Sequence, residues 1–284
     1  MAVNTLVALR SLRWTAIAAV LGAVSPAVGE ESYGLGPVLP DADLTVREIS
    51  TALYNAKPGE HLDYSGRDLT YLDLSGLDFK GATMRGSDFY GTDFTGANLR
   101  GTDLSKTRLD RAVLIRADLS GANLTDATIL RPTIYSDLNA LAADAPRFAG
   151  GKLTSIHVQA DLSGADFRGA DLTKADFSPL EPRPGQGTFV TKANECRSCD
   201  FSGAKLVQAK MMEAKLTFSS FKGADLTDAD LTKADLAKAD FSGADLTGAD
   251  LTGADLDSAN LVGVKGLDHV KGLDAAINLD KAFR

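Results

Sequence analysis

The chain has two cysteines, and their spacing, Cys196-Arg197-Ser198-Cys199, is the one arrangement with evident chemical reach. A C-x-x-C pair supports four kinds of chemistry: a structural disulfide, two reduced thiols buried as small hydrophobes, half of a metal site, or a redox couple. Zinc needs about four ligands, and the sequence holds no second cysteine pair. A thioredoxin-like couple expects a βαβ setting, and the flanking pattern has none. In an exported chain such a pair can be oxidised, so a Cys196–Cys199 disulfide tying a Pro-rich loop to the coil comes first, and the other three stay open. The histidines, His61, His157 and His269, share no spacing with cysteines or carboxylates. No G-x-S-x-G, Gly-rich phosphate loop or H-E-x-x-H occurs. The expectation is a chain without catalytic, metal or cofactor-binding residues, hence no cofactor and no enzyme.

What positions the cysteines is a repeat. A bulky apolar residue recurs at a spacing of five from Leu69 to Ile129, at Leu162, Phe167, Leu172 and Phe177, and from Phe201 to Leu261, thirty times in all. A small residue commonly stands two places before it and Asp or Asn one place before, as in Ala224-Asp225-Leu226 and Ala229-Asp230-Leu231. Five matches neither the 3.6 of a helix nor the 2 of a plain strand, so each unit makes a short extended segment and then turns. The large and the small residue face inward. The acid between them faces out, where its side chain can hydrogen-bond the backbone of the turn. Counted in this register, Cys196 falls on a large site and Cys199 on a small one. Phe201, Phe221 and Phe241 recur every twenty residues, which predicts four units per coil and a core ladder of stacked rings.

These A-[DN]-L-x-x units resemble the pentapeptide-repeat family. The resemblance implies an all-β solenoid, a right-handed quadrilateral β-helix. Thirty units then make about seven and a half coils, roughly 36 Å at the spacing of a β ladder. The same offset places Lys205 beside Asp225, Lys210 beside Asp230 and Lys215 beside Asp235, exposed pairs each contributing about 0 to 1 kcal/mol. It also sets Asp225 against Asp245 and Asp230 against Asp250.

Both ends of a solenoid need protection. Thr45-Val46-Arg47-Glu48 reads as a capping box, and Ile49, Ala52, Leu53 and Ala56 form an apolar stripe, so a short N-terminal capping helix is expected over 43–57. After the last repeat, Val264-Lys265-Gly266-Leu267-Asp268 and Val270-Lys271-Gly272-Leu273-Asp274 echo at a spacing of six, and the tail, 264–284, is expected to lose the register and fold over the last coil. The chain thus divides into a signal peptide, 1–27; an N-terminal segment with the capping helix, 28–64; repeats, 65–130; an insertion, 131–158; repeats, 159–178; a Pro/Gly-rich loop, 179–198; repeats, 199–263; and the C-terminal cap. The two interruptions are where function is sought first, because binding residues concentrate on loops held by a rigid scaffold.

Arg10 and Arg13 precede an apolar run from Trp14 to Val24 and then Ser25-Pro26-Ala27, the layout of a secretory signal. The run falls short of the roughly 20 residues that span a bilayer. Cleavage is expected after Ala27, with Gly29 as second choice, leaving no integral membrane span and a periplasmic or secreted protein. Removing residues 1–27 takes away two arginines and no acid, moving the formal charge from −8 to −10. An acidic chain is a poor partner for nucleic acid, which needs clustered Lys and Arg.

The function expected is a non-catalytic exported scaffold with a protein or envelope partner. The resemblance offers an alternative, since some pentapeptide-repeat proteins look like acidic duplex DNA and bind DNA gyrase, protecting it from quinolones; the signal peptide places this chain elsewhere. A thiol oxidoreductase using Cys196 and Cys199 is a third class. A flat hydroxyl array for ice or glycan, from Thr227, Thr232, Thr247 and Thr252, is interrupted by Lys222 and Ala237.

Overall fold

The computed structural model describes residues 42–135, 142–179 and 193–284, within the unit Asp41–Arg284. The signal peptide, Trp14 and the cleavage sites lie outside the described residues. Each five-residue unit contributes one outward ladder residue between two inward ones, too short for a conventional strand. The ladder residue pairs in parallel with the residue twenty positions on, as Asp68 does with Asp88 and Asp88 with Arg108. Leu69 N–H donates to the Asp88 carbonyl and Asp88 N–H to the Arg67 carbonyl, both at 2.9 Å. Successive windings therefore satisfy one another's backbone groups on four faces. Taking each face by its first large residues, face 1 begins Tyr64, Met84; face 2 Leu69, Phe89; face 3 Leu74, Phe94; and face 4 Phe79, Leu99. All eight are buried, and one hydrophobic core runs from Ile49 to Leu261.

The turns between faces place one residue in the left-handed region. Glycine fills many of these sites, but Lys106, Asp228 and Lys238 also adopt it, with φ of 56 to 60°. Gly91 is a position where glycine is required for a second reason: a Cβ there would lie 2.7 Å from the Tyr71 ring, which rests on it.

The segment 131–158 is not an insertion throughout: its two ends belong to the coil. Thr133 pairs with Val113, Arg147 with Asp118 and Lys152 with Asn123, and Ile134, Phe148, Leu153 and Val158 are buried. The one two-stranded sheet among the described residues falls here, β1 (Thr128–Leu130) parallel to β2 (His157–Gln159). Likewise, residues 194–198 belong to the coil, since Glu195 pairs with both Asp161 and Lys215. Adding Tyr64 and Cys196, six large sites join the thirty, giving nine windings of four. The pattern is hidden in this stretch because Arg, Lys and His replace Asp on the ladder, Gly151 and Ile156 replace alanine at small sites, and Val158 stands four residues, not five, before Leu162. At Gly151 an added Cβ would meet the Phe148 carbonyl at 3.0 Å.

The tail does not lose the ladder either. Lys265, Lys271, Ile277 and Phe283 pair with Asp245, Asp250, Asp255 and Asn260, a tenth winding whose period is six. The extra residue in each unit is Gly266, Gly272 or Asn278, all left-handed, followed by a 3-10 turn at Leu267–His269, Leu273–Ala275 or Leu279–Lys281. Leu267, Leu273 and Leu279 pack half-buried against the core, whereas Ile277 and Phe283 point outward and are exposed.

At the other end, α1 (Val46–Asn55) starts at the N-cap Thr45 with the full capping box and buries Ile49 and Leu53. It is shorter than 43–57 at both ends. Lys80, a residue of the first winding, donates its ammonium to the Leu53 carbonyl at 2.6 Å and to the Ala56 carbonyl at 3.3 Å, satisfying orphan acceptors of the last turn. Thr45→Ala is expected to lower stability by about 1 kcal/mol, read as a shift of the urea midpoint.

Candidate functional site

The register places Cys196 on a large site of face 3 and Cys199 on the following small site of face 4. Both are buried, and their sulfurs lie 2.06 Å apart with Cα atoms at 5.4 Å. Ser219, at the small site one winding on, donates its hydroxyl to the Cys196 carbonyl at 2.6 Å and accepts the Cys199 N–H at 3.2 Å. The Cys199 sulfur is 3.1 Å from the Leu162 carbonyl. Neither sulfur faces solvent, so no dithiol substrate reaches them in this conformation.

Phe201, Phe221 and Phe241 stack on face 4, with centroids 5.0 and 4.8 Å apart and planes within 5°. The column is longer than the twenty-residue spacing reveals. Phe148 stacks on Phe167 and Phe167 on Phe201, each at 4.9 Å; the first spacing is nineteen because the Val158–Leu162 unit is one residue short, and the second is thirty-four because the chain leaves the coil after Phe177 and returns in register. The signal available in the sequence is Phe148 followed at five by Leu153.

The histidines stay apart. His157 lies 3.9 Å from Asp176, His269 2.9 Å from Asp268, and His61 is exposed. Among the described residues no group of three or more His, Cys, Asp or Glu is placed to hold a metal ion.

The outward acids brace the turns. Asp245 accepts the Thr247 N–H at 3.0 Å and its hydroxyl at 2.6 Å, and Asp225 does the same for Thr227. The Thr227 and Thr247 hydroxyls are thus engaged with carboxylates, which removes them from a free hydroxyl array. Hydrogen bonds from the Ser75, Thr247 and Thr252 hydroxyls, then from their backbone N–H groups, hold the Asp73, Asp245 and Asp250 carboxyls below the usual value of 3.8. A carboxyl whose pKa is lower in the folded chain stabilises fully above its unfolded value, and that contribution is lost as the pH falls through the folded one. The urea midpoint is therefore expected to be flat near pH 6 and to drop below about pH 4.

The same bracing redirects the lysines. Lys205, Lys210 and Lys215 do lie on the ladder beside Asp225, Asp230 and Asp235, as the offset requires. Lys210 and Lys215 nevertheless pair backward, with Asp176 at 3.7 Å and Glu195 at 3.1 Å. Asp225 and Asp230 are turned toward their own Thr227 and Thr232.

The departures from the regular coil converge. The chain leaves the ladder between Ile134 and Phe148, at the corner of faces 3 and 4, and between Phe177 and Cys196, at the corner of faces 2 and 3. The unit shortened by one residue, Val158 to Leu162, turns at that second corner in the winding between them. Asn194, buried beside this turn, accepts the Ala160 N–H at 2.7 Å and donates to the Phe177 carbonyl. The loop residues 136–141 and 180–192 themselves lie outside the described residues.

The sequence profile of the family described as Pentapeptide repeats matches in eight copies over residues 65–101, 92–129, 156–178, 195–232 and 224–263, more than half of the chain. No curated protein matches it. Among solved structures, it is similar to HetL, a pentapeptide repeat protein involved in heterocyst differentiation regulation from the cyanobacterium Nostoc sp. strain PCC 7120, at 26% identity over 84% of this chain and 94% of that one, with a TM-score of 0.42. A trypsin-treated variant of QnrB1, a plasmid-mediated fluoroquinolone resistance protein, aligns at 18% identity over 73% and 90%, with a TM-score of 0.35. A pentapeptide repeat protein of the Arabidopsis thaliana thylakoid lumen aligns at 24% identity over 50% and 84%, with a TM-score of 0.26. Four ladders, a twenty-residue offset and the matched repeats lead to one conclusion: the chain belongs to the pentapeptide-repeat family, whose fold is a right-handed quadrilateral β-helix.

Proposed function

We propose that this protein is a non-catalytic, exported scaffold whose surface binds a protein of the cell envelope. The observation that carries the reading is the convergence on face 3: two excursions far apart in sequence, and the one shortened unit, border the same face over consecutive windings. A rigid coil that returns to register after each excursion is a means of presenting loops. In this reading α1 protects the first winding, residues 1–27 direct export, and Cys196 and Cys199 form a structural disulfide behind the second excursion. Alkylation of the unreduced, denatured protein should then label neither cysteine. The gyrase-binding alternative is set aside on the export signal; the family has members of differing roles, and membership alone selects none of them. The burial of both sulfurs speaks against a thiol oxidoreductase. No helix among the described residues is long and apolar enough to cross a membrane.

The test is capture from envelope extract by the mature chain and by one lacking residues 180–192, a deletion that spares the buried Asn194 and the ladder residue Glu195. A partner held by the first and lost by the second supports the reading; a partner held equally by both overturns presentation by the second loop, and no partner with either refutes the reading.

A further inference from the structure

Most outward charge on this acidic chain is carboxylate, but along face 4 and the two corners that border it the order is reversed. Arg100 pairs with Asp118 at 3.2 Å, Arg147 with the same Asp118 at 3.1 Å, Arg116 with Asp144 at 3.7 Å and Arg168 with Asp166 at 2.6 Å. The four arginine side chains are 58 to 63% exposed, whereas Asp118, Asp144 and Asp166 beneath them are only 11 to 18% exposed; a fourth acid, Asp200, lies 3.7 Å from Arg168 and is 41% exposed. Three of the four acids are covered, and the guanidiniums form the outer layer. A guanidinium carries five N–H donors, and one ion pair leaves several of them facing solvent.

Between Arg116 and Arg147 the surface is concave. A cleft of about 390 Å³ is floored by Ala143, Ala145 and Pro146 and closed by Gly164 and Asp166. It exists because the chain leaves the fourth winding here. Arg116 occupies the left-handed turn site of the winding below, with φ 56°, and its backbone N–H donates to the Asp144 carbonyl at 2.7 Å, which fixes the base of the side chain to the cleft wall.

We propose that this cleft is a docking site for an acidic peptide segment of the partner, with a glutamate side chain laid on the Ala-Pro floor and its carboxylate held between Arg116 and Arg147. The assignment rests on the scaffold reading above and names the partner's chemistry. Planar carboxylates match guanidinium forks, and the apolar floor suits the methylenes of glutamate. A continuous polyanion fits less well, because Asp166 and the outward acids of the neighbouring windings would repel a uniform line of charge.

The probe is a fluorescent Gly-Ser-Glu-Glu-Ser-Gly peptide, acidic without being a uniform line of charge, titrated with the full mature chain at low and at physiological salt. Binding that weakens with salt, falls about tenfold or more in the Arg116→Gln, Arg147→Gln double variant, and is unchanged in Lys222→Ala is the expected result. Arg116→Gln alone, at a side chain more than half exposed, repeats the test if the double variant does not fold. Absence of peptide binding, equal binding by the variants, or tighter binding of polyphosphate than of peptide overturns the proposal. Retention of the envelope partner by an Arg variant would also overturn it, while leaving the scaffold reading intact.

Discussion

Replacing Phe221 by alanine is expected to lower the stability of the coil by about 3 to 5 kcal/mol, as for other buried phenylalanines. The ring is fully buried and sandwiched between Phe201 at 5.0 Å and Phe241 at 4.8 Å. Its removal therefore opens a void with aromatic faces above and below, and the backbone, hydrogen-bonded to both neighbouring windings, cannot collapse into it. Phe221 N–H donates to the Asp240 carbonyl at 2.7 Å, and Phe201 N–H to the Ser220 carbonyl at 2.7 Å. Leu231→Ala, with no ring to leave unstacked, should cost about 2 to 5 kcal/mol. Asp228→Ala, at an outward turn, should cost less than about 1 kcal/mol. Urea unfolding of the three variants reads the difference directly, and equal small losses would contradict the inward placement of the large sites.

Enlarging a small site should be nearly as damaging. Ala229→Leu is expected to destabilise by about 1 to 3 kcal/mol. Ala209, Ala229 and Ala249 follow one another through successive windings, each almost wholly buried. Their neighbouring carbonyls are tied across the windings, Asp230 N–H to the Ala209 carbonyl and Asp250 N–H to the Ala229 carbonyl, both at 2.9 Å. A longer side chain has to push a ladder apart to fit. An unchanged thermal midpoint would show that the small column has room to spare.

Both expectations rest on a register that is legible without coordinates, because a period of five leaves one way to bury a large and a small residue in every unit. The burial of Cys196 and Cys199 follows from the same count. The capping box at Thr45 and Glu48 is equally legible, since its two side chains act within four consecutive residues. Arg147, Lys152 and His157 are not, because a basic or imidazole side chain on the ladder breaks the Asp signature while leaving the backbone pairing untouched. The hexapeptide winding at the C-terminus shows in the sequence as a new spacing that reads as a loss of register, yet the ladder continues, since a left-handed residue directly after each ladder position, followed by a 3-10 turn, absorbs the extra length.

The candidate docking cleft has no signature in the sequence. Arg100, Arg116, Arg147 and Arg168 are separated by 16 to 31 positions, and only the coil, with one excursion looped out, brings them together along face 4 and its bordering corners. By itself the order of residues determined which side chains face the core, because burial is decided unit by unit and each unit is five residues long. The folded chain decided which outward charges meet, which way the lysines turn, and where the irregular segments gather. Those outcomes depend on how many residues separate two windings, and every residue looped out or omitted between them shifts that number without changing the local pattern.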